Sequence, residues 1–446
     1  MNANIEKALA AANDTRALWI GAGVSDRVAD LFKEQFPAMP AVIVADTTTW
    51  QVLGEKVSRL FSAAGIVQES PFIFDNDDLY AEYGFVEQLT AALSNHTAIP
   101  VAVGSGTIND LTKLSAYQAD RRYMCVATAA SMDGYTAFGA SITADGAKQT
   151  FGCPAPQACL ADTDIIRKAP PQMTASGYAD LFAKVTAGAD WILADALQVE
   201  AIDKRAWSVV QDGLPGALSD PAGIAAGSEQ AISKLIEGLM LGGFAMQATQ
   251  SSRPASGAEH QFSHLWNMEH FLNHGEHVSH GFQVSIGTIA VTAFYEQVLQ
   301  TDLSELDVEK ACRLWPDRDE SDACALKLFE GTDFPLIGVQ ETGAKYIPVD
   351  ELREQLQLLK SNWAETRSRL RSQLLPLSEL RRRLALVGAP VEPEQIGLSR
   401  SRLREAFIRA QYIRRRYTVL DLAVRTGYLD TWLDQLFGAD GIWEIK

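Results

Sequence analysis

Between residues 17 and 110 the chain alternates short apolar runs with amphipathic stretches, and this alternation restricts the fold more than any other feature. ALWIGAG reads as a strand and turn, and SDRVADLFKEQF as a helix opening near Ser25. AVIVAD (41–46) is a second strand, followed by TTTWQVLGEKVSRLFSAAG, a helix ending at Gly65. FVEQLTAALS is helical, and IPVAVGSG is again a strand with a turn. Repeated strand–helix units predict an α/β domain with a largely parallel sheet. In such sheets ligands bind beyond the carboxyl ends of the strands.

Two glycine turns in this region compete for a phosphate. Gly21-Ala22-Gly23, with Asp46 closing a strand about twenty residues later, mimics a dinucleotide fingerprint but lacks the third glycine. The run Gly104-Ser105-Gly106-Thr107-Ile108-Asn109-Asp110 follows the strand IPVAV and opens a helix. Glycines there let backbone amides approach a pyrophosphate at a helix N-terminus, where the dipole favours anions. Asp46 suits a ribose diol, and equally suits capping the helix that follows it. Further on, YMCVATAAS is a strand whose exit carries Thr128, Ser131 and Asp133. A strand exit is a favoured site position, although Asp133-Gly134 is also an ordinary turn.

The proline-rich stretch PAPQACLADTDIIRKAPPQ reads as a hinge, with a domain boundary near residues 164–172. The expected division is residues 1–168 and 169–446. Helical patterns dominate after it, and Asp180 reads as a residue of the first turn of its helix, where the dipole alone explains a carboxylate. Six of the seven histidines fall between His260 and His280. His260 and His264 are four apart and share a helix face; His280 opens the apolar run HGFQVSIGTIAVTAFYEQVL. Imidazole is both a metal ligand and a near-neutral proton carrier. The plain alternative is a wet, histidine-rich connection between helices. One Asp and two His with positions left open make a catalytic metal site. Residues 300–350 show no clear element, and 351–446 read as helices whose arginine runs are solvated faces.

Composition sets the remaining bounds. A chain of 446 residues, 47% hydrophobic, can bury a large core in two or three domains. A net charge of -17 disfavours nucleic acid and anionic membrane as partners, but not a small anion held in a local basic pocket. MNANIEKALAAANDTR carries acidic residues and no long apolar core, so no signal peptide is expected, and no run of about 18 apolar residues predicts a membrane span. The five scattered cysteines suggest neither a disulfide framework nor a thiolate metal site, and a reduced cytoplasmic setting is the expectation.

GSGTIND, TAASMDGY, SGYADLFAK, SRPASGAEHQFSH and HGFQVSIGT, in that order, resemble the sn-glycerol-1-phosphate dehydrogenases. These belong to the superfamily of glycerol dehydrogenase, dehydroquinate synthase and iron-containing alcohol dehydrogenase. The resemblance spans about residues 15–300, and NWAETRSRLRSQLLP and YTVLDLA extend it more loosely toward the bacterial branch. It implies a dehydroquinate synthase-like fold: an α/β dinucleotide-binding domain, an all-α domain, and the site in the cleft between them. It implies a divalent metal on Asp180, His260 and His280, with zinc expected and nickel or iron(II) also suited. His264 and Asp133 would be catalytic residues contacting substrate, and Asp180 would touch substrate as well. NAD, with NADP also accepted in this branch, would be lined by Asp46, Gly106, Thr107, Ile108, Asn109, Asp110, Thr128, Ala129, Ala130 and Ser131. His274, in an HGE triplet like that of glycerol dehydrogenases, rivals His280. Ala137 stands where this branch often carries a serine near the cofactor.

The reaction so implied is reversible reduction of dihydroxyacetone phosphate to sn-glycerol 1-phosphate by a homodimer, with Arg253 and Lys184 as candidates for the phosphate. Three alternatives share the motifs: a dehydrogenase of glycerol or another polyol, a dehydroquinate synthase-like cyclase, and a non-catalytic binding protein. The cyclase needs more lysine and basic residues than GYADLFAK and GAEHQFSH supply.

Overall fold

The structure is a computed structural model and describes residues 3–76, 79–144 and 147–445. Six strands make one sheet: β1 (Ala17–Gly21), β2 (Ala41–Asp46), β3 (Phe72–Phe74), β4 (Ile99–Gly104), β5 (Met124–Ala127) and β6 (Ala158–Asp162). Every neighbouring pair is parallel, in the order β1-β6-β5-β4-β2-β3. The apolar runs behave as strands covered on both faces, which is why AVIVAD shows no polar alternation. On one face Ile43, Val101, Val103, Met124, Val126 and Leu160 meet Leu31, Phe32, Val57 and Phe61 of the helices Val28–Gln35 and Glu55–Ala63. The chain steps from β2 out to β3 and from β4 the other way to β5. The adjacent ends of β2 and β4 therefore form a topological switch point, the usual ligand crevice of such sheets.

The strand β6 corrects the sequence reading, which made that stretch part of a hinge. All five of its residues are buried, and it lies between β1 and β5. Pro154 and Pro156 precede the first ladder residue, Ala158, so their missing N–H groups take no hydrogen bond from the sheet.

The helices that carry the argument are α1 (Gly106–Gln118), α2 (Pro171–Phe182), α3 (Lys184–Ala196), α4 (Glu229–Thr249), α5 (Ala258–Met268), α6 (His280–Gln300), α7 (Val349–Gln373) and α8 (Val419–Thr426). The chain forms two compact units. One comprises Met1–Leu181, Arg205–Ala255 and Leu386–Gly388; the other comprises Phe182–Lys204, Ser256–Ala385 and Ala389–Lys446. The first contains the sheet. The second is helical apart from the two-residue strands Leu272–Asn273 and Glu276–His277 among its described residues. Its core is aromatic: Phe407 meets Phe262 at 4.9 Å and Phe294 at 5.1 Å, and Phe294 meets Trp432 edge-on at 5.5 Å. Such pairs contribute about 0.5–1.5 kcal/mol each beyond their buried area. Along α3, Arg369 of α7 pairs with Asp195 at 2.9 Å, and Gln373 donates to the Val185 carbonyl. Among the described residues no helix is long and apolar enough to cross a membrane.

Candidate active site

The helical period puts His260 and His264 on one face of α5, and α6 brings His280 to that face. The His260 and His280 rings lie 5.3 Å apart, and the His264 ring lies 6.4 Å from each. The helices approach this closely because residue 287 is glycine: a Cβ there would stand 2.4 Å from the Glu259 carbonyl oxygen.

The N-terminal end of α5 is held by a buried carboxylate. Asp190 of α3 accepts from the Ala258 amide at 2.7 Å, the Tyr295 hydroxyl at 2.6 Å and the Val419 amide at 2.9 Å. It thus ties the first amide of α5 to α6 and to the start of α8. One residue on, the fully buried Glu259 accepts from His260 Nδ1 at 2.8 Å, from the Gly257 amide at 2.6 Å and from the Thr186 hydroxyl at 2.8 Å. Burial pushes the Glu259 carboxyl up, but the hydrogen bond and charge of His260, the Gly257 amide and the Thr186 hydroxyl together hold it below its ordinary value. A carboxylate behind a histidine keeps the proton on Nδ1 and leaves the Nε2 lone pair for a metal.

Asp180 departs from the sequence reading in its local setting. The helix α2 begins at Pro171, because proline is well suited to a first helical turn, so Asp180 belongs to the last turn rather than the first. The N-terminal dipole does not account for this carboxylate, which is fully buried. Its Oδ2 accepts from the Asp133 amide at 3.0 Å. The loop bearing Asp133 is pressed onto α2: Ser176 donates to the Ser131 carbonyl, and a Cβ on Gly177 would lie 1.9 Å from the Ala130 carbonyl oxygen. Beneath the same loop the buried Lys113 ammonium donates to the carbonyls of Gly134, Ala137 and Gly139. Asp180, His260 and His280 each offer a ligand atom, and these three atoms lie within 4.8 Å of one another. One carboxylate and two imidazoles at that separation fit a divalent metal with positions left for substrate or water.

The two glycine turns separate cleanly. The first is filled from within: Asp162, at the end of β6, accepts from the Gly23 amide at 3.1 Å and the Ser25 amide at 3.0 Å. The second, at the end of β4, opens α1, and no side chain of Ser105 caps it. Gly104 is needed for packing, since a Cβ would meet Ile108 at 2.5 Å. Ile108 and Asn109 are buried, and Asn109 accepts from the Tyr123 hydroxyl at 3.1 Å. Asp110 accepts from the Ser141 amide and pairs with Lys113 at 3.5 Å. In this run, therefore, the backbone of Gly106–Ile108 is what a ligand would meet. Asp46 caps the helix after β2, accepting from the Thr49 amide at 2.7 Å. Thr128, Ala129 and Ala130 are buried at the exit of β5, and Ser131 is partly exposed there.

His274 lies exposed in the turn of the small hairpin, with φ at 52°, and His270 pairs at the surface with Asp333. Arg253 and Lys184 are both buried. Asp190, Glu259, Thr186, Ser263 and Gln283 escaped sequence reasoning. For Glu259 a signal existed, an acid beside His260 on a helix, but nothing in the sequence pairs it with Thr186 across 73 residues.

Residues 19–170 match the iron-containing alcohol dehydrogenase family. Over 380 residues the chain is 30% identical to an NAD(P)+ glycerol-1-phosphate dehydrogenase of Halalkalibacterium halodurans, covering 85% of this chain and 84% of the relative. A protein of the same name from Geobacillus stearothermophilus is 30% identical over 348 residues, 78% of this chain and 76% of its own length. In fold, the chain is similar to a probable glycerol dehydrogenase from Sinorhizobium meliloti, with a TM-score of 0.59 over 94% of this chain and 98% of that one, at 14% identity.

Proposed function

The chain belongs to the glycerol-1-phosphate dehydrogenase family, and from that premise we propose that it reduces dihydroxyacetone phosphate reversibly to sn-glycerol 1-phosphate with a nicotinamide dinucleotide. The observation that carries this reading is the approach of Asp180, His260 and His280 to within 4.8 Å. These residues would hold the metal; two imidazoles, a carboxylate and an open position suit zinc, nickel or iron(II), with zinc the expected ion. When bound, the metal stabilises the oxygen that becomes anionic and the nicotinamide exchanges the hydride.

The chain's own residues supply the rest. Glu259 keeps the His260 proton on Nδ1. The Asp133 amide fixes one Asp180 oxygen, and its carboxylate is proposed to reach substrate from the same loop. His264, one helical turn from His260, is proposed to relay a proton through water to the substrate oxygen. The amides of Gly106, Thr107 and Ile108 would hold the pyrophosphate at the N-terminus of α1. Across the switch point Asp46 would hold the adenosine ribose, and this carboxylate opposes a 2′-phosphate and favours NAD. Thr128 to Ser131 would line the nicotinamide side. Arg253 and Lys184 are proposed for the substrate phosphate. A homodimer in the cytoplasm completes the proposal, the reduced compartment being consistent with five free cysteines.

The test is NADH oxidation with dihydroxyacetone phosphate and with dihydroxyacetone. A charge-assisted phosphate clamp predicts that the ester is favoured by about 10–100-fold in kcat/KM. Equal rates on the two ketones would replace this reading with that of a polyol dehydrogenase.

A further inference from the structure

The two histidines have different partners on Nδ1. Behind His260 stands a carboxylate, but behind His280 stands the hydroxyl of Ser263, at 3.3 Å. A hydroxyl can donate or accept, so by itself it leaves the tautomer of His280 open. The neighbours of Ser263 close the question. Its oxygen also lies 3.2 Å from Gln283 Oε1, and the other end of that amide donates to the Val278 carbonyl at 3.1 Å and to Asn267 Oδ1 at 2.9 Å.

The backbone carbonyl of Val278 can only accept. The Gln283 atom facing it is therefore the NH2 group, and the atom facing Ser263 is the carbonyl oxygen. That oxygen can only accept in turn, so the single Ser263 proton points to Gln283. Toward His280 the Ser263 oxygen is left as an acceptor, and the proton between them belongs to His280 Nδ1. Ser263 is fully buried and Gln283 nearly so, and water therefore competes little with this order.

We propose that Ser263 and Gln283 are positioning residues: a neutral relay, anchored on the Val278 carbonyl, that locks His280 as the Nδ1–H tautomer and so presents Nε2 to the metal. The proposal rests on the assignment of His280 as a ligand. His260 and His280 then coordinate through the same nitrogen but are backed differently, one by a charge and one by a dipole.

The test is 15N NMR of histidine-labelled protein, metal-free at mildly alkaline pH and again zinc-loaded, together with zinc affinity by chelator competition. The His280 signals are assigned by their absence in His280→Ala. In the wild type His280 is expected to carry its proton on Nδ1 in both forms. Ser263→Ala is expected to divide the proton between the two nitrogens and to weaken zinc binding about 10–100-fold. Gln283→Leu frees the serine to donate, and is expected to move the proton toward Nε2. An Nε2–H tautomer in the wild type, or both variants keeping wild-type tautomer and affinity, overturns the relay. If instead His260→Ala and His280→Ala bind zinc as the wild type does, the metal assignment fails, while the metal-free spectrum still decides the tautomer.

Discussion

Asp162 does in the first glycine turn what a bound phosphate would otherwise do. Its carboxylate, 1% exposed, takes the amides of Gly23, Ser25 and Asp164. Burial pushes its carboxyl up, but the Ser25 hydroxyl and the amides of Ser25, Asp164 and Gly23 hold it below the ordinary carboxylate value. A carboxyl depressed in the folded state contributes stability above its unfolded pKa of about 4, and that stability is lost as pH falls through the folded value. Asp162→Asn, which turns an NH2 group toward one of these amides, is expected to cost about 1–3 kcal/mol at neutral pH in urea unfolding. The gap should narrow as the pH is taken below the carboxylate range, and a gap independent of pH would refute this account. At this scale the sequence favoured the second glycine turn, since the first lacks a third glycine, but it did not show what fills the first, because that occupant lies 139 residues from Gly23. The candidate ligands were legible from their motifs. What supports them was not: Asp190 reaches Ala258, Tyr295 and Val419, and Glu259 reaches Thr186, through contacts that no local pattern encodes.

The approach of α5 and α6 builds the histidine face, and Gly287 permits that approach. Gly287→Ala places a methyl 2.4 Å from the Glu259 carbonyl oxygen. Backbone cannot yield as a side-chain tip can, so the helices must part. The expected outcome is a loss of about 1–3 kcal/mol in stability and at least about a tenfold loss in zinc affinity by equilibrium dialysis. Unchanged affinity would mean that the helix spacing does not set the ligand geometry. Elements that are continuous apolar runs, such as AVIVAD and IPVAV, were readable directly. The short helices Val308–Leu314 and Arg318–Leu328 were not, although their signals existed: Asp307 and Asp317 accept from the Lys310 and Glu320 amides as caps. Their polar faces hid the period. β6 was missed for the opposite reason, its apolar residues being framed by prolines.

For the molecule as a whole, fold class was legible because strand–helix alternation admits few topologies. The strand order was not, since the pairing of β1 with β6 joins residues far apart in sequence and closes over everything between them. The helical unit corrects the reading of the C-terminal arginine runs as solvated faces. Arg402 and Arg409 both pair with Glu269 just past the end of α5, and Arg416 donates to the Ser256 carbonyl just before its start. The C-terminal region therefore grips both ends of the helix that carries His260. The proposed function rests on Asp180, His260 and His280 holding a metal on which oxidoreduction depends. The direct measurement is metal content and NADH oxidation with dihydroxyacetone phosphate on one preparation of His260→Ala. The account predicts that metal is lost and the rate falls at least about 100-fold together with it. A metal-free variant that oxidises NADH at the wild-type rate would contradict it.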